Sequence, residues 1–414
     1  MRIFISTLSC ILCCSIAHAI TIQEAITLAI QNSTEIEIEE RKSELTGYSR
    51  ADAATMFLPN ASYSMRRGHR DTSISKFSDR LKEDVQTLTV SQPLFTGLQG
   101  VSRAKEAIHK TSAAKENLNF RKNEIALMTA ESYLNILKLR MITELEAQEA
   151  ADYKKLLELA KKKLELGDLE YPELSKLETG KQNTILKSEE NKAKLRQYEL
   201  SFELLTQQKS EGLSRPFLHS DLKNLDDTLI LAQKQNPKVK STKHSLKAAK
   251  TALIAESGKV LPKVSLSFQH EYQRSSYYFN GEPITNKVVY LDITIPIFQS
   301  ASEYASIAKA NKQKQIATLE HKLATEELEK KVREEYAKFT SLNESFATFN
   351  DVLSSAIQSL TLAESRFNKK DLSQMDYLLK KIEVSEVEKQ VIATECDMLM
   401  SWFVLKSLTN ELII

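Results

Sequence analysis

The side chains best suited to chemistry in this chain are six of its seven histidines, the scattered His69, His109, His219, His244, His270 and His321, with His18 near the N-terminus the seventh. Imidazole ligates metals and moves protons near neutral pH, but it needs partners at fixed spacing. No two of these histidines stand four apart, where one helix face would present both, and no C-x-x-C pair accompanies them. There is no G-x-S-x-G turn and no phosphate-binding glycine run. Adjacent carboxylates such as Glu189-Glu190 lie in charged helical stretches and read as solvent-facing surface. The pattern points to no enzyme, no metal and no cofactor.

The elements around these residues say more. The 414 residues include only nine Gly and eight Pro, and the chain is rich in Lys, Glu, Leu and Ala, which favours long helices over a loop-rich fold. The net charge of +2 selects no charged partner, and acids and bases interleave as on solvated helix faces. Arg2 followed by an apolar run from Ile3 to Ile16, then Ala17-His18-Ala19, has the plan of a secretory signal peptide. A lipoprotein reading of Cys14 is the alternative, with Leu12-Cys13 a poor match before it. Cleavage after Ala19 leaves Cys396 alone, so no intrachain disulfide can form. No stretch beyond the signal reaches the 18 apolar residues of a membrane-spanning helix.

The chain is internally duplicated. Gln92-Pro93-Leu94-Phe95 is echoed by Ile295-Pro296-Ile297-Phe298, with Pro296 lying 203 residues after Pro93. Leu58-Pro59 and Leu261-Pro262 keep that offset, as do Asp168-Leu169 and Asp371-Leu372. Each copy reads as helix, strand, strand, long helix, returning helix. The first helix is expected over Ile22–Phe57, ended by Pro59. Strands are expected from Ala61 to about Arg70 and from Val85 to Phe95, where the period becomes two. Arg66-Arg67-Gly68-His69-Arg70-Asp71 between them reads as a solvated basic loop, and without interleaved aromatics it is no nucleic-acid site.

In the second copy Val264, Leu266 and Phe268 alternate with polar residues, and Tyr272, Tyr277, Tyr278 and Phe279 follow. Past the turn signal Asn280-Gly281, the residues Val289, Leu291, Ile293 and Ile295 alternate with Tyr290, Asp292 and Thr294. Such a segment fits a strand of a membrane barrel, and equally a soluble hairpin with one buried face.

From about Leu98 to Leu166, and from about Ala301 to Asn368, there is no proline and no glycine after Gly100, enough for helices of about 100 Å. Phe339, Leu342, Phe346, Phe349, Leu353, Ala356, Leu360, Ala363 and Phe367 form a heptad seam. Ile136, Leu139, Ala150, Tyr153, Leu157, Ala160 and Leu164 form a weaker one. Each rod turns at Gly167-Asp168 or Lys370-Asp371 and runs back to about Gln208 or Leu412. Four strands cannot close a barrel, and hydrocarbon does not tolerate an open sheet edge. The sheet is therefore outside a membrane, or several chains share one barrel.

These features together resemble the TolC-type outer-membrane efflux proteins. The resemblance rests on Gln92-Pro93-Leu94-Phe95 with Gly97, Ile295-Pro296-Ile297-Phe298, Leu166-Gly167-Asp168-Leu169, and the paired Gln31-Asn32-Ser33 and Gln235-Asn236-Pro237. It implies a mainly α chain of long coiled-coil hairpins with four transmembrane β-strands. Three chains would form a 12-stranded β-barrel in the outer membrane and an α-helical barrel in the periplasm. The implied segments are a signal peptide (1–19), a first repeat (20–210), a linker (211–224) and a second repeat (225–414). The implied role is a passive exit duct of a tripartite efflux or type I secretion system. Its partners would be a periplasmic adaptor, an inner-membrane pump and outer-membrane lipid, with no nucleic acid. Adaptor-docking tips would be Gly167, Asp168 and Leu169 with Lys370, Asp371 and Leu372. Aligned through the turns, Glu173 and Asp376 fall at acidic positions of the periplasmic aperture. Leu379 stands at a second aspartate of that ring, Leu372 at a constricting arginine, and Lys370 at a usual glycine. A structural or adhesive coiled-coil envelope protein, or an adaptor, is the rival class.

Overall fold

The computed structural model describes residues 20–74, 77–216, 222–275, 282–298 and 301–412. The expected signal peptide, His219, the Asn280-Gly281 turn, Tyr277 to Phe279 and Gln299-Ser300 lie outside those residues. Element order repeats almost perfectly: α1 (Ile22–Asn32), α2 (Thr34–Thr55), β1 (Asn60–Ile74), β2 (Phe77–Thr96), α3 (Gln99–Glu165) and α4 (Tyr171–Thr206). Then come α5 (Leu225–Gln235), α6 (Pro237–Ser257), β3 (Lys263–Ser275), β4 (Ile284–Thr294), α7 (Ser302–Asn368) and α8 (Gln374–Leu408). Among the described residues, no helix is long and apolar enough to cross a membrane.

The chain divides into two compact units. One comprises the residues up to Ile36, Arg121–Asn236 and those from Leu328 onward; the other comprises Glu37–Phe120 and Pro237–Glu327.

In the first unit α1 lies on α3. Ile26 joins Ala126, Ala130 and Leu134 of α3, Leu399 and Phe403 of α8, and Leu412 in one buried cluster. Ala25 joins Tyr133 and Ile136 of α3 and Phe202 of α4 in another. A capping box starts α1: the Glu24 N–H donates to Thr21 Oγ1 at 3.3 Å, and the Thr21 N–H to Glu24 Oε2 at 2.8 Å. The expected single helix over Ile22–Phe57 is broken at Ser33, which is extended. The break lets the Asn32 amide reach the Thr206 carbonyl at the end of α4, at 2.9 Å. The second copy repeats the device, with Asn236 donating to the Leu408 carbonyl of α8 at 3.1 Å. Each pair of short helices thus closes the C-terminus of its own returning helix, where free carbonyls need donors.

The second unit contains one antiparallel sheet in the order β1-β2-β3-β4. The first hairpin is longer than its apolar alternation suggests. Arg66 to Asp71, expected as a loop, is strand throughout, with Arg66 opposite Val85 and Arg67 opposite Asp84. An ion pair from Arg67 to Asp84 at 2.8 Å crosses that extension. A bulge between Pro93 and Phe95 interrupts the β2–β3 ladder, which resumes with Phe95 opposite Val264 and Thr96 opposite Lys263. The chain then enters α3 through Gly97 and Leu98 with φ of 63° and 65°. A Cβ on Gly97 would stand 2.4 Å from the Gly258 carbonyl oxygen, so only glycine fits. Ala301 enters α7 with the same sign of φ, at 60°.

Candidate functional site

The two places that could carry function are the sheet faces and the turns between long helices. Across the sheet, Ala61, Val90, Phe268 and Val289 stand in register, with Leu266 opposite Leu291 and Val264 opposite Ile293. Alternation puts all of these on one face. Val289, Leu291 and Ile293 are 64%, 60% and 61% exposed, far more than a folded core allows. The opposite face is polar: the Ser267 hydroxyl donates to Asp292 at 2.6 Å and lies 3.4 Å from Ser91. The sheet thus separates an apolar side from a wet one, with β1 and β4 at its two edges.

At the far end of α3, the Gly167 N–H donates to the Leu164 carbonyl at 3.1 Å and the Asp168 N–H to the Lys163 carbonyl at 2.9 Å. Gly167 takes a φ of 78° to do so. At the end of α7, Lys370 and Asp371 make the same two bonds, to Phe367 and Arg366, both at 2.9 Å. Lys370 has a φ of 65°, so a lysine adopts the left-handed turn that glycine provides in the first copy. That conformation costs an L-residue roughly 1–2 kcal/mol, part of which glycine returns through its freer unfolded chain. Lys370→Gly is therefore expected to stabilise this turn by about 0.5–1 kcal/mol. Slower hydrogen exchange at residues 366–371 checks it; unchanged or faster exchange contradicts it.

Gly167, Asp168, Lys370 and Asp371 are exposed, and Leu169 and Leu372 half-buried. Behind the turns, Leu156, Leu157 and Ala160 of α3 pack with Leu174 and Leu177 of α4 and Leu378 and Ile382 of α8. Beside this cluster a groove of about 1010 Å³ is lined by Asp168, Leu169, Glu173, Asp376 and Leu379, among others. Glu173 and Asp376, expected at one aperture, thus line one groove. Asp376 and Leu379 also line a second groove of about 380 Å³, with Leu372 and Arg366. Ser373 caps α8, its oxygen accepting from the Asp376 N–H at 3.1 Å while its hydroxyl donates to Asp376 Oδ2 at 2.6 Å. Glu173 is in the first turn of α4, after Pro172.

Sequence reasoning missed a polar junction further along the same helices. Glu146, Glu149 and Asp152 of α3 are buried, and Lys389 of α8 reaches Glu149 Oε2 at 2.5 Å. Thr184 of α4 donates to Glu149 Oε1 at 2.8 Å, and Lys381 of α8 meets Asp152 at 2.7 Å. Burial pulls the Lys389 ammonium down, but its bonds to Glu149 and Glu386 outweigh this and hold it above the usual lysine range. A readable signal existed in the duplication, since the residue 203 positions beyond Glu146 is Phe349, a seam position. His109 and His244 also come together, ring centres 6.2 Å apart, and burial lowers both. Among the described residues no three His, Cys, Asp or Glu side chains are placed to hold a metal ion.

Residues 229–411 match the family model of the outer membrane efflux protein. The alkaline protease secretion protein AprF of Pseudomonas aeruginosa is 22% identical over 318 residues, which span 71% of this chain and 64% of that protein. The outer membrane protein VceC of Vibrio cholerae superposes with a TM-score of 0.77 at 12% identity, over 94% of this chain and 96% of its own. The Campylobacter jejuni CmeC outer membrane channel does so at 0.76 and 14%, over 94% and 85%. At such identities the superpositions speak for the fold. Residues 229–411, somewhat under half of the chain, thus resemble an outer membrane efflux protein domain, and the chain as a whole has the fold of these outer-membrane channels.

Proposed function

We propose that this chain is one subunit of an outer-membrane exit duct, a homotrimer serving a tripartite efflux or type I secretion system. The observation that carries this is the sheet, with one largely apolar, exposed face, a more polar reverse and two edges. Hydrocarbon accepts such a sheet only when its edges are paired, and three copies of four strands give an even, 12-stranded closure. The protein resides in the outer membrane, with its long helices in the periplasm. It works as a passive conduit, and a relative named for protease secretion supports an exported protein as cargo.

In this reading the chain is two repeats, 20–210 and 225–414, joined by 211–224. The turns at Gly167–Leu169 and Lys370–Leu372 are the tips that meet a periplasmic adaptor, which couples the duct to an inner-membrane pump. Three chains present six quasi-equivalent tips. A Cβ on Gly167 would meet nothing within 4 Å, so a bulky residue there perturbs the tip surface and the turn, not a packed core. Gly167→Trp is expected to abolish export while leaving trimers in the membrane; loss of the trimer would make Gly167 a folding residue only.

Glu173 and Asp376 are the acidic residues of the aperture in this reading. Three copies of Asp376 near one axis would favour cation entry. Ser373 supplies the cap oxygen, so Asp376→Asn keeps the cap and loses only a helix-end charge, worth about 0.3–1 kcal/mol. Reduced cation selectivity in single-channel recordings, with trimer stability nearly unchanged, is the expected result. Unaltered selectivity and unaltered block by multivalent cations would remove Asp376 from the aperture.

A further inference from the structure

Of the four buried carboxylates on α3, three are matched with cations; one of these, Glu106, meets Lys110 at 2.7 Å and Arg103 at 3.4 Å. Glu149 meets Lys389 at 2.5 Å, and Asp152 meets Lys381 at 2.7 Å and Lys155 at 3.9 Å. Glu146, only 2% exposed, has a neutral partner instead: Asn191 of α4 donates to its Oε1 at 2.8 Å. Its other oxygen, Oε2, is enclosed and receives no donor from the described residues. The charged groups facing Glu146 are Glu149 of its own helix, Lys187 of α4 and Lys389 of α8. Lys389 is already engaged by Glu149 and, at 3.2 Å, by Glu386.

A buried carboxylate without a cation or a full set of donors is driven towards its neutral form. Burial raises the Glu146 carboxyl above the ordinary 4.5, opposed by the Asn191 bond and the Lys389 charge and reinforced by Glu149. Because Oε2 is enclosed within a single chain, a second copy cannot reach it, and a proton is the smallest species that can neutralise it.

We infer that Glu146 is a proton-binding site, and that its protonation tightens the packing of α3, α4 and α8 as the surrounding pH falls. The proton adds to the carboxylate to give the neutral acid, and no other bond changes. A carboxyl whose folded value lies above its unfolded one contributes stability that is complete below about 4.5 and is lost as the pH rises through the folded value. Lys389 keeps its proton across that window, so the Glu149 pair persists while the Glu146 charge comes and goes. The junction titrates in this way whether or not the chain forms a duct.

The test uses the purified protein, read by infrared difference spectroscopy and by hydrogen exchange as the pH is lowered from about 8 to about 4. The wild type is expected to gain the carbonyl band of a buried protonated carboxyl. Protection of peptides covering residues 380–395, relative to an unstructured peptide at the same pH, should rise together with that band. Glu146→Gln should lack the band and show the high protection at both pH values. Asn191→Leu, which removes the one donor to the carboxylate, should move the midpoint of the band to higher pH. Absence of the band in the wild type, its persistence in Glu146→Gln, or an unmoved midpoint in Asn191→Leu overturns the inference.

Discussion

Lys389→Met is expected to destabilise the helical junction by about 3–5 kcal/mol, the cost of leaving a buried charge without its counter-ion. The Glu149 carboxylate is 2% exposed and would keep only the Thr184 hydroxyl. Removing both charges should restore most of the loss, because Glu149→Gln with Lys389→Met leaves no isolated ion, and apolar substitutes for buried pairs are often neutral. Denaturation midpoints, with exchange in α4 and α8, report both variants. A single variant that loses less than about 1 kcal/mol, or a double variant no better than the single, contradicts this account of the junction.

The second large effect concerns the sheet. Leu291→Arg is expected to cost roughly 2–4 kcal/mol near the membrane midplane and to reduce assembly. Its side chain shares the apolar face with Leu266, and 60% of its surface is open in a single chain. Thr294, the last residue of β4, lies on the polar face with Asp292. Thr294→Arg should alter conductance much more than assembly. Equal effects of the two substitutions would mean the two faces are wrongly assigned.

Much of this molecule is legible in its sequence because local rules suffice. The absence of Pro and Gly predicts helices from about Leu98 to Leu166 and from about Ala301 to Asn368, and α3 and α7 occupy these stretches with 67 residues each. The seam from Phe339 to Phe367 is covered along its whole length, Ala363 fully buried and the rest half-buried, while Ile357 and Leu362 beside it are exposed. Three features were not legible, each for a long-range reason. Arg66 to Asp71 is strand because Val85, Asp84 and Glu83 lie opposite; charge alone reads as loop. Ser33 breaks a good helical pattern because Asn32 is drawn to a carbonyl at Thr206. Glu146, Glu149 and Asp152 look like a solvated face until Lys389, 240 positions beyond Glu149, is folded against them. At the tips, the duplication correctly pairs Lys370 with Gly167, and the backbone shows why the pairing survives the change of residue.

The most direct test of the duct is the migration of the protein extracted from outer membranes, run on a denaturing gel with and without prior heating. A closed barrel shared by three chains predicts a band at the mass of a trimer when unheated, collapsing on boiling to that of a single chain, 46.9 kDa for these 414 residues less any cleaved signal peptide. A soluble monomer confined to the periplasm, migrating identically before and after heating, would contradict it.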